Sequence, residues 1–227
     1  MTESTVAVDA LLPDAVKPRG RGWIHFYSAI VACVAGVALV TVAAAVRGEA
    51  AALATGVYAL TIVGLFGVSA TYHRHHWTSP RTRTRMKRLD HAMIFVFIAG
   101  TYTPMAVLAL PTTACRWVLG VVWGGAMAGV ALKVVWPHAP RWLGVPVYIA
   151  LGWVAVFVFP DLVDAGGLLT VALLVAGGVL YSVGGILYAA RRPNPWPGVF
   201  GYHEVFHAAV SLAALVHFVA ICLVLSD

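Results

Sequence analysis

The sequence predicts an all-α, polytopic membrane protein, a bundle of seven transmembrane helices. Hydrophobic residues make up 61% of its 227 residues and charged residues only 11%, and the mean hydropathy is +0.87. A soluble domain needs more polar residues to cover its surface. Apolar runs close to the ~20 residues that cross a bilayer as a helix recur along the chain. Seven such runs are present, at 23–46, 52–72, 89–110, 117–136, 142–159, 168–190 and 199–225.

The first run follows three basic residues, an arrangement that resembles the start of a secretory signal. The apolar core of a signal is only ~7 to 15 residues long, so this longer run is interpreted as a retained helix. No internal repeat or interdomain linker separates the later runs. The sequence therefore predicts a cytoplasmic tail at 1–22 and one seven-helix transmembrane domain at 23–227.

The basic residues predict the orientation of the helices. Three precede the first helix, six lie between the second and third, two flank the fourth loop and two follow the sixth helix. With alternating helices, 13 of the 15 lysines and arginines fall on one side, leaving only Arg47 and Arg116 opposite. The positive-inside rule then places the N-terminus in the cytoplasm and the C-terminus outside. We expect a multi-pass protein of the inner (plasma) membrane.

The net charge of +6 raises the question of nucleic-acid binding. The charge is concentrated in the loop "HRHHWTSPRTRTRMKR" at 73–88, where each cation near anionic headgroups contributes ~1 kcal/mol. We therefore expect membrane lipids, and not nucleic acid, as partners. The sequence does not predict the oligomeric state.

The stretch "GYHEVFHAAV" contains an H-E-x-x-H motif formed by His203, Glu204 and His207. On a helix this spacing places two imidazoles one turn apart beside a carboxylate. Counting helices places His73, at the end of the second helix, and Asp90, at the start of the third, at the same cytoplasmic level. A catalytic zinc ion takes three protein ligands and leaves a position for water. His73, His203 and His207 are the predicted zinc ligands.

Ser69 and Asp90 are the predicted polar groups beside the metal. Ser69 lies one turn before His73 on the same helical face, where its hydroxyl could bond a ligand or substrate. Asp90 could hold a water molecule or orient a histidine. His217 lies ~15 Å beyond His207 along the helix, too far for the same ion. The remaining histidines are His75, His76 and His91, which compete with His73, and His25 and His138, which we expect to be interfacial anchors.

Glu204 has two interpretations that the sequence leaves equal. It could act as a general base, as in zinc proteases, or it could be stabilised by the helix dipole and by Arg191 and Arg192. An intramembrane protease would need an aspartate ligand in an N-x-x-P-x-x-x-x-D-G type segment. The nearest segment, "RRPNPWPG", has no aspartate and is typical of a turn.

Three segments in order, "SATYH" (69–73), "RLDHAMIFVFIAGTYTP" (88–104) and "GYHEVFHAAVSLAALVHFVAI" (201–221), resemble the bacterial hemolysin III family. That family belongs with the progestin and adiponectin receptors and, more distantly, with alkaline ceramidases. The resemblance implies zinc held by His73, His203 and His207, with Asp90 on the bound water and Ser69 alongside. It also implies a cytoplasmic N-terminus and hydrolysis of lipid amides such as ceramide. Animal relatives lack a glutamate at the position of Glu204, which weakens a general-base role.

We therefore expect a zinc-dependent, ceramidase-like hydrolase that cleaves an amide or ester of a membrane lipid, with Asp90, Ser69 and Glu204 as the candidate catalytic residues. Two alternatives stay open. One is a non-enzymatic sensor or receptor-like lipid-homeostasis protein with structural zinc, and the other is a pore-forming, cytolytic protein. A closed four-ligand site would favour the first, and a continuous polar path would favour the second.

Overall fold

The computed structural model describes residues 18–136 and 141–226. Most of the predicted N-terminal tail lies outside these ranges, as does His138. The all-α prediction is confirmed. In the described ranges the helices are α1 (Trp23–Arg47), α2 (Glu49–Arg74), α3 (Pro80–Ala109), α4 (Thr112–Val135), α5 (Arg141–Gly152), a 3₁₀ helix (Trp153–Val158), α6 (Phe159–Ala190) and α7 (Tyr202–Ser226).

Six helical stretches among the described residues are long and apolar enough to cross a membrane. One of them, Leu143–Ala190, combines the predicted fifth and sixth helices in 48 residues. At ~1.5 Å per residue, such a stretch would exceed twice the ~30 Å hydrocarbon thickness. Its helical geometry is interrupted at Gly167, with φ 72° and ψ 171°, and a positive φ of this kind is readily adopted by glycine. The count of seven spans stays a prediction, with Gly167 as the point where the chain would reverse.

The third helix begins earlier than the sequence predicted. It starts at Pro80 rather than at 89, so the second half of the basic loop is helical. Ser79 caps this start by accepting a hydrogen bond from the Thr82 amide at 3.4 Å, and proline suits the first helical turn. Hydropathy marks where a helix meets hydrocarbon. It does not mark where the helix begins, which explains the error.

The helices form a closed arrangement around α3. Consecutive helices from α1 to α4 pack against one another, α6 packs on α7, and α7 also contacts α1. Helix α3 contacts α2, α4, α5, α6 and α7. Apolar side chains cover the outside, and Val34, Leu60 and Phe157 are at least 70% exposed. An outer surface of this kind is suited to lipid rather than to water.

Small residues allow the helices that carry the site to approach closely. Gly36 of α1 lies against Ala59 of α2, and Gly184 of α6 lies against Ala209 of α7, so that an added methyl group at either glycine would collide with its neighbour. Small residues serve this purpose between membrane helices, where no hydrophobic force draws the helices together. The packing brings the start of α7 beside the end of α2.

Candidate metal centre

Three histidines meet at one end of the bundle. His73 is in the last turn of α2, and His203 and His207 are one turn apart at the start of α7. One ligand atom from each lies within 4.8 Å of the other two. The structure thus brings together the three residues that the sequence predicted as metal ligands.

The spacing of the His73 and His203 nitrogens is the one expected of two zinc ligands. The Nε2 atoms of His73 and His203 are 3.2 Å apart, and two nitrogens bound to a tetrahedral zinc at ~2.05 Å lie about 3.3 Å apart. His207 completes the set, with its ring centroid 5.1 Å from that of His73 and 4.7 Å from that of His203. Three imidazoles form a donor set that zinc accepts, and a catalytic zinc takes three protein ligands and a water molecule.

Asp90 and Ser69 lie beside the triad, as expected from the sequence. The Asp90 Oδ2 atom is 3.9 Å from His73 Nε2 and 3.4 Å from His91 Nδ1. Ser69 is buried one turn before His73, and it also interacts with the Asp90 carboxyl group. The carboxylate is thus too far from His73 Nε2 for a direct hydrogen bond, but it lies next to the imidazoles and lines the cavity.

His25 belongs to this cluster, and the prediction that it is an interfacial anchor is wrong. Its side chain is buried at 3% exposure. Its Nδ1 atom lies 2.9 Å from the Ser69 hydroxyl oxygen, and its ring stacks on that of His207 with centroids 3.8 Å apart and planes 10° apart. His25 is in the first turn of α1, which starts at this end of the bundle. Hydropathy does not indicate which way a helix faces, so the inward orientation was missed.

Glu204 forms an ion pair with a different residue from those that the sequence suggested. It is fully buried and forms an ion pair with the Arg21 side chain, whereas the sequence suggested Arg191 and Arg192. Its second oxygen accepts a hydrogen bond from the Gly201 amide at 2.8 Å, which caps the start of α7. Among the described residues, those that line the cavity beside the triad do not include Glu204.

The segment 18–22 covers this end of the bundle. The Arg19 amide donates to the Gly198 carbonyl at 3.0 Å and the Gly20 amide to the Val199 carbonyl at 2.9 Å. Gly22, at φ 81°, lies against the β-carbon of His73, where a side chain would collide. The backbone before α1 is thus fastened to the turn before α7, next to the triad.

The other histidines near this end and along α7 are not part of the triad. His75 and His76 are exposed after the end of α2. His91 is next to Asp90, and its Nδ1 atom is 2.8 Å from the Lys87 carbonyl oxygen of its own helix. His217 is deeper in the bundle, with Nε2 3.1 Å from the Leu174 carbonyl oxygen. The preference for His73 over its neighbours therefore agrees with the structure.

A deep cavity opens beside the triad. It has an empty volume of about 1640 Å³, including the part open to the surroundings. Its wall includes Asp90, His203 and His207 at one end, and it follows α3 to Leu110, the residue after the end of that helix. Twenty residues of helix correspond to ~30 Å, the thickness of the hydrocarbon layer. Most of the other lining side chains are apolar, so the cavity suits a long apolar molecule with a polar end at the histidines.

The chain is similar to proteins of one family over most of its length. The profile of the family described as haemolysin-III related matches residues 14–218. Hemolysin-3 of Bacillus cereus is 28% identical over 210 residues, which are 92% of this chain and 89% of the relative. The hemolysin-3 homolog of Bacillus subtilis (strain 168) is 32% identical over 136 residues, 60% of this chain and 61% of the relative, so less than two thirds of that protein is matched. The heptahelical transmembrane protein ADIPOR2 of Oryza sativa subsp. japonica is 28% identical over 177 residues, 70% of this chain and 76% of the relative.

Proposed function

Because this chain belongs to the haemolysin-III related family of integral membrane proteins, we propose that it is a zinc-dependent hydrolase of membrane lipids. It would hydrolyse an amide or ester bond of a lipid in the plasma membrane. One observation carries the proposal: three histidine nitrogens lie within 4.8 Å of one another, beside a carboxylate, and two of these histidines line a long apolar cavity.

His73, His203 and His207 are the proposed zinc ligands. Zinc bound there would polarise the substrate carbonyl group and lower the pKa of a water molecule towards ~7. His207 is held in place by the face-to-face ring of His25. Because a ligand histidine needs a fixed ring orientation, this stacking supports the assignment.

Asp90 is the proposed general base and acid. It lines the cavity and its carboxylate lies 3.9 Å from His73, a position from which it would take a proton from water and return it to the leaving group. The Ser69 hydroxyl, bonded to His25, would donate a hydrogen bond to the negative charge that develops on the carbonyl oxygen. The ion pair of Glu204 with Arg21 supports a structural role for that glutamate.

The acyl chain of the lipid would occupy the cavity. Its apolar wall spans a full hydrocarbon thickness along α3, so an acyl chain would lie with its carbonyl group at the histidines. The basic side chains at the proposed cytoplasmic end would contact anionic headgroups around the opening. The N-terminus is proposed to be cytoplasmic and the C-terminus external.

Product release by zinc-loaded protein in lipid vesicles tests this function. Ceramide-like lipids, acyl amides and acyl esters would be supplied as a panel, with fatty acid release measured by mass spectrometry. We expect release that stops when a chelator removes the metal and returns when zinc is added. No release from any lipid of the panel, by protein that holds zinc, would remove the hydrolase proposal.

A second candidate is a membrane sensor in which zinc is structural. The observation that favours it is that the three ligands join only two helices, α2 and α7, so a metal would fix their relative position. The mostly apolar cavity wall argues against a water-filled pore, and therefore against cytolysis as the function.

A further inference from the structure

A second polar site lies deep in the cavity, away from the triad. Tyr181 of α6 and His217 of α7 both line the cavity, and their rings meet edge to face with centroids 5.4 Å apart. His217 follows His207 by ten residues on the same helix, which corresponds to ~15 Å. Gly177 makes room for the His217 ring, since a side chain there would collide with it.

Two polar atoms at this place have no partner. In the described part of the chain, the Tyr181 hydroxyl and His217 Nδ1 are buried without a hydrogen bond. At the triad end of the same cavity, His25 Nε2 and His207 Nδ1 are also unpaired among the described residues, whereas several other polar side chains of the wall have partners. Tyr102, for example, donates to the Gly152 carbonyl at 2.6 Å and accepts from the Ala155 amide at 2.8 Å. An unpaired polar group is costly inside a membrane protein, because no bulk water is present to replace the missing bond.

The hydrogen-bonding character of each atom specifies what would satisfy it. His217 Nε2 lies 3.1 Å from the Leu174 carbonyl oxygen, and a carbonyl can only accept, so Nε2 carries the proton of the neutral ring. Nδ1 is therefore an acceptor that lacks a donor. The Tyr181 hydroxyl is a donor that lacks an acceptor. A carbonyl or ether oxygen could only accept a hydrogen bond from the Tyr181 hydroxyl. A hydroxyl group could accept from Tyr181 and also donate to His217 Nδ1.

We propose that Tyr181 and His217 form a binding site for a hydroxyl group carried by an apolar molecule in the cavity. The molecule would be a lipid or similar compound whose hydroxyl lies about 15 Å from the end at the triad, as the helical rise between His207 and His217 requires. Both unpaired atoms are buried, so binding requires one of the two rings to move. The proposal does not depend on zinc or on hydrolysis.

Binding of matched fatty acids tests the site. Two acids of the same chain length, one of which carries a hydroxyl remote from the carboxyl group, would be titrated into the purified full-length chain in detergent with a chelator present. We expect the hydroxylated acid to bind about tenfold more tightly, the effect of two modest hydrogen bonds. In a purely apolar cavity it would bind more weakly, because the hydroxyl loses its water. Equal or weaker binding, as when a water molecule occupies the site, would overturn the proposal.

Two tyrosine variants provide a matched comparison. Tyr181→Phe should remove the preference for the hydroxylated acid while leaving affinity for the plain acid unchanged. Tyr58→Phe removes another unpaired buried hydroxyl, from a residue that does not line the cavity, and should keep the preference. Thermal unfolding without ligand would verify that both variants are folded. Loss of the preference in both variants, or in neither, would contradict the assignment to Tyr181.

Discussion

The imidazole rings of His25 and His207 lie face to face, with centroids 3.8 Å apart and an interplanar angle of 10°. His25 is in the first turn of α1 and His207 is in the second turn of α7. The same His25 ring bonds Ser69 of α2 through Nδ1. One side chain therefore fixes the position of a proposed metal ligand and of a proposed catalytic hydroxyl.

We predict that His25→Ala weakens zinc binding by ~10 to 100-fold, the usual effect of losing a residue that orients a ligand. Zinc affinity would be measured by competition with a chromophoric chelator. His76→Ala is the matched control, because it removes an exposed histidine near the same end of the bundle. Unchanged affinity in His25→Ala would show that the stacked ring does not position His207.

Removal of each triad histidine should remove most of the metal. Purified wild type is expected to carry about one zinc per chain, and His73→Ala, His203→Ala and His207→Ala should each lose most of it, because two nitrogens cannot hold a tetrahedral zinc tightly. Metal content would be measured by elemental analysis. His217→Ala should keep its zinc, and full retention of zinc in any triad variant would exclude that residue as a ligand.

Asp90→Ala should separate chemistry from metal binding. We predict that zinc is retained while lipid amide turnover falls ~100-fold or more, the size of a lost acid–base contribution. Rates and metal content would be measured on the same preparation. Glu204→Gln is the internal comparison. If it abolished turnover more completely than Asp90→Ala, with zinc and folding intact, Glu204 rather than Asp90 would be the base.

The ion pair of Arg21 with Glu204 should contribute to stability. Arg21→Ala leaves a carboxylate that is 1% exposed without its partner, and removal of one member of a buried pair costs ~3 kcal/mol or more. Unfolding by denaturant in detergent would give the change. The double variant Arg21→Ala with Glu204→Gln should recover part of the loss. A double variant that loses the sum of both single effects would show that the pair is not coupled.

Cysteine labelling can test how many times the chain crosses the membrane. If Leu143–Ala190 crosses the membrane twice, a cysteine placed at Asp164, close to the break at Gly167, should react with an impermeant reagent added outside intact cells. A cysteine at Arg85 should react only after the cells are opened, as the positive-inside rule predicts. The native cysteines would first be replaced. The reverse pattern of labelling would contradict the proposed orientation.

The sequence predicted the fold and the triad for the same physical reason. Helices that alternate in direction place the end of α2 and the start of α7 at the same level in the membrane. The shared level of His73 and His203 can therefore be predicted without knowing how the helices pack. The rotation of each helix about its axis is not encoded in hydropathy when every face is apolar. This is why the inward position of His25 was not predicted.

Contacts between residues far apart in the chain could also not be predicted from the sequence. Arg21 and Glu204 are 183 residues apart, and Arg191 was the nearer candidate along the chain. Only the packing of α1 on α7 brings the two charges together. The start of α3 at Pro80 was missed because a helix end in the aqueous region carries capping signals and no hydropathy change.

The contact between α1 and α7 has a consequence for the order in which the protein assembles during synthesis. His73 and His203 are 130 residues apart, so during synthesis the first two helices enter the bilayer long before their partner exists. Until α7 is made, His25 lacks the ring of His207 and His73 lacks the ring of His203. A chain stalled before α7 would therefore lack His203 and His207, two of the three proposed metal ligands.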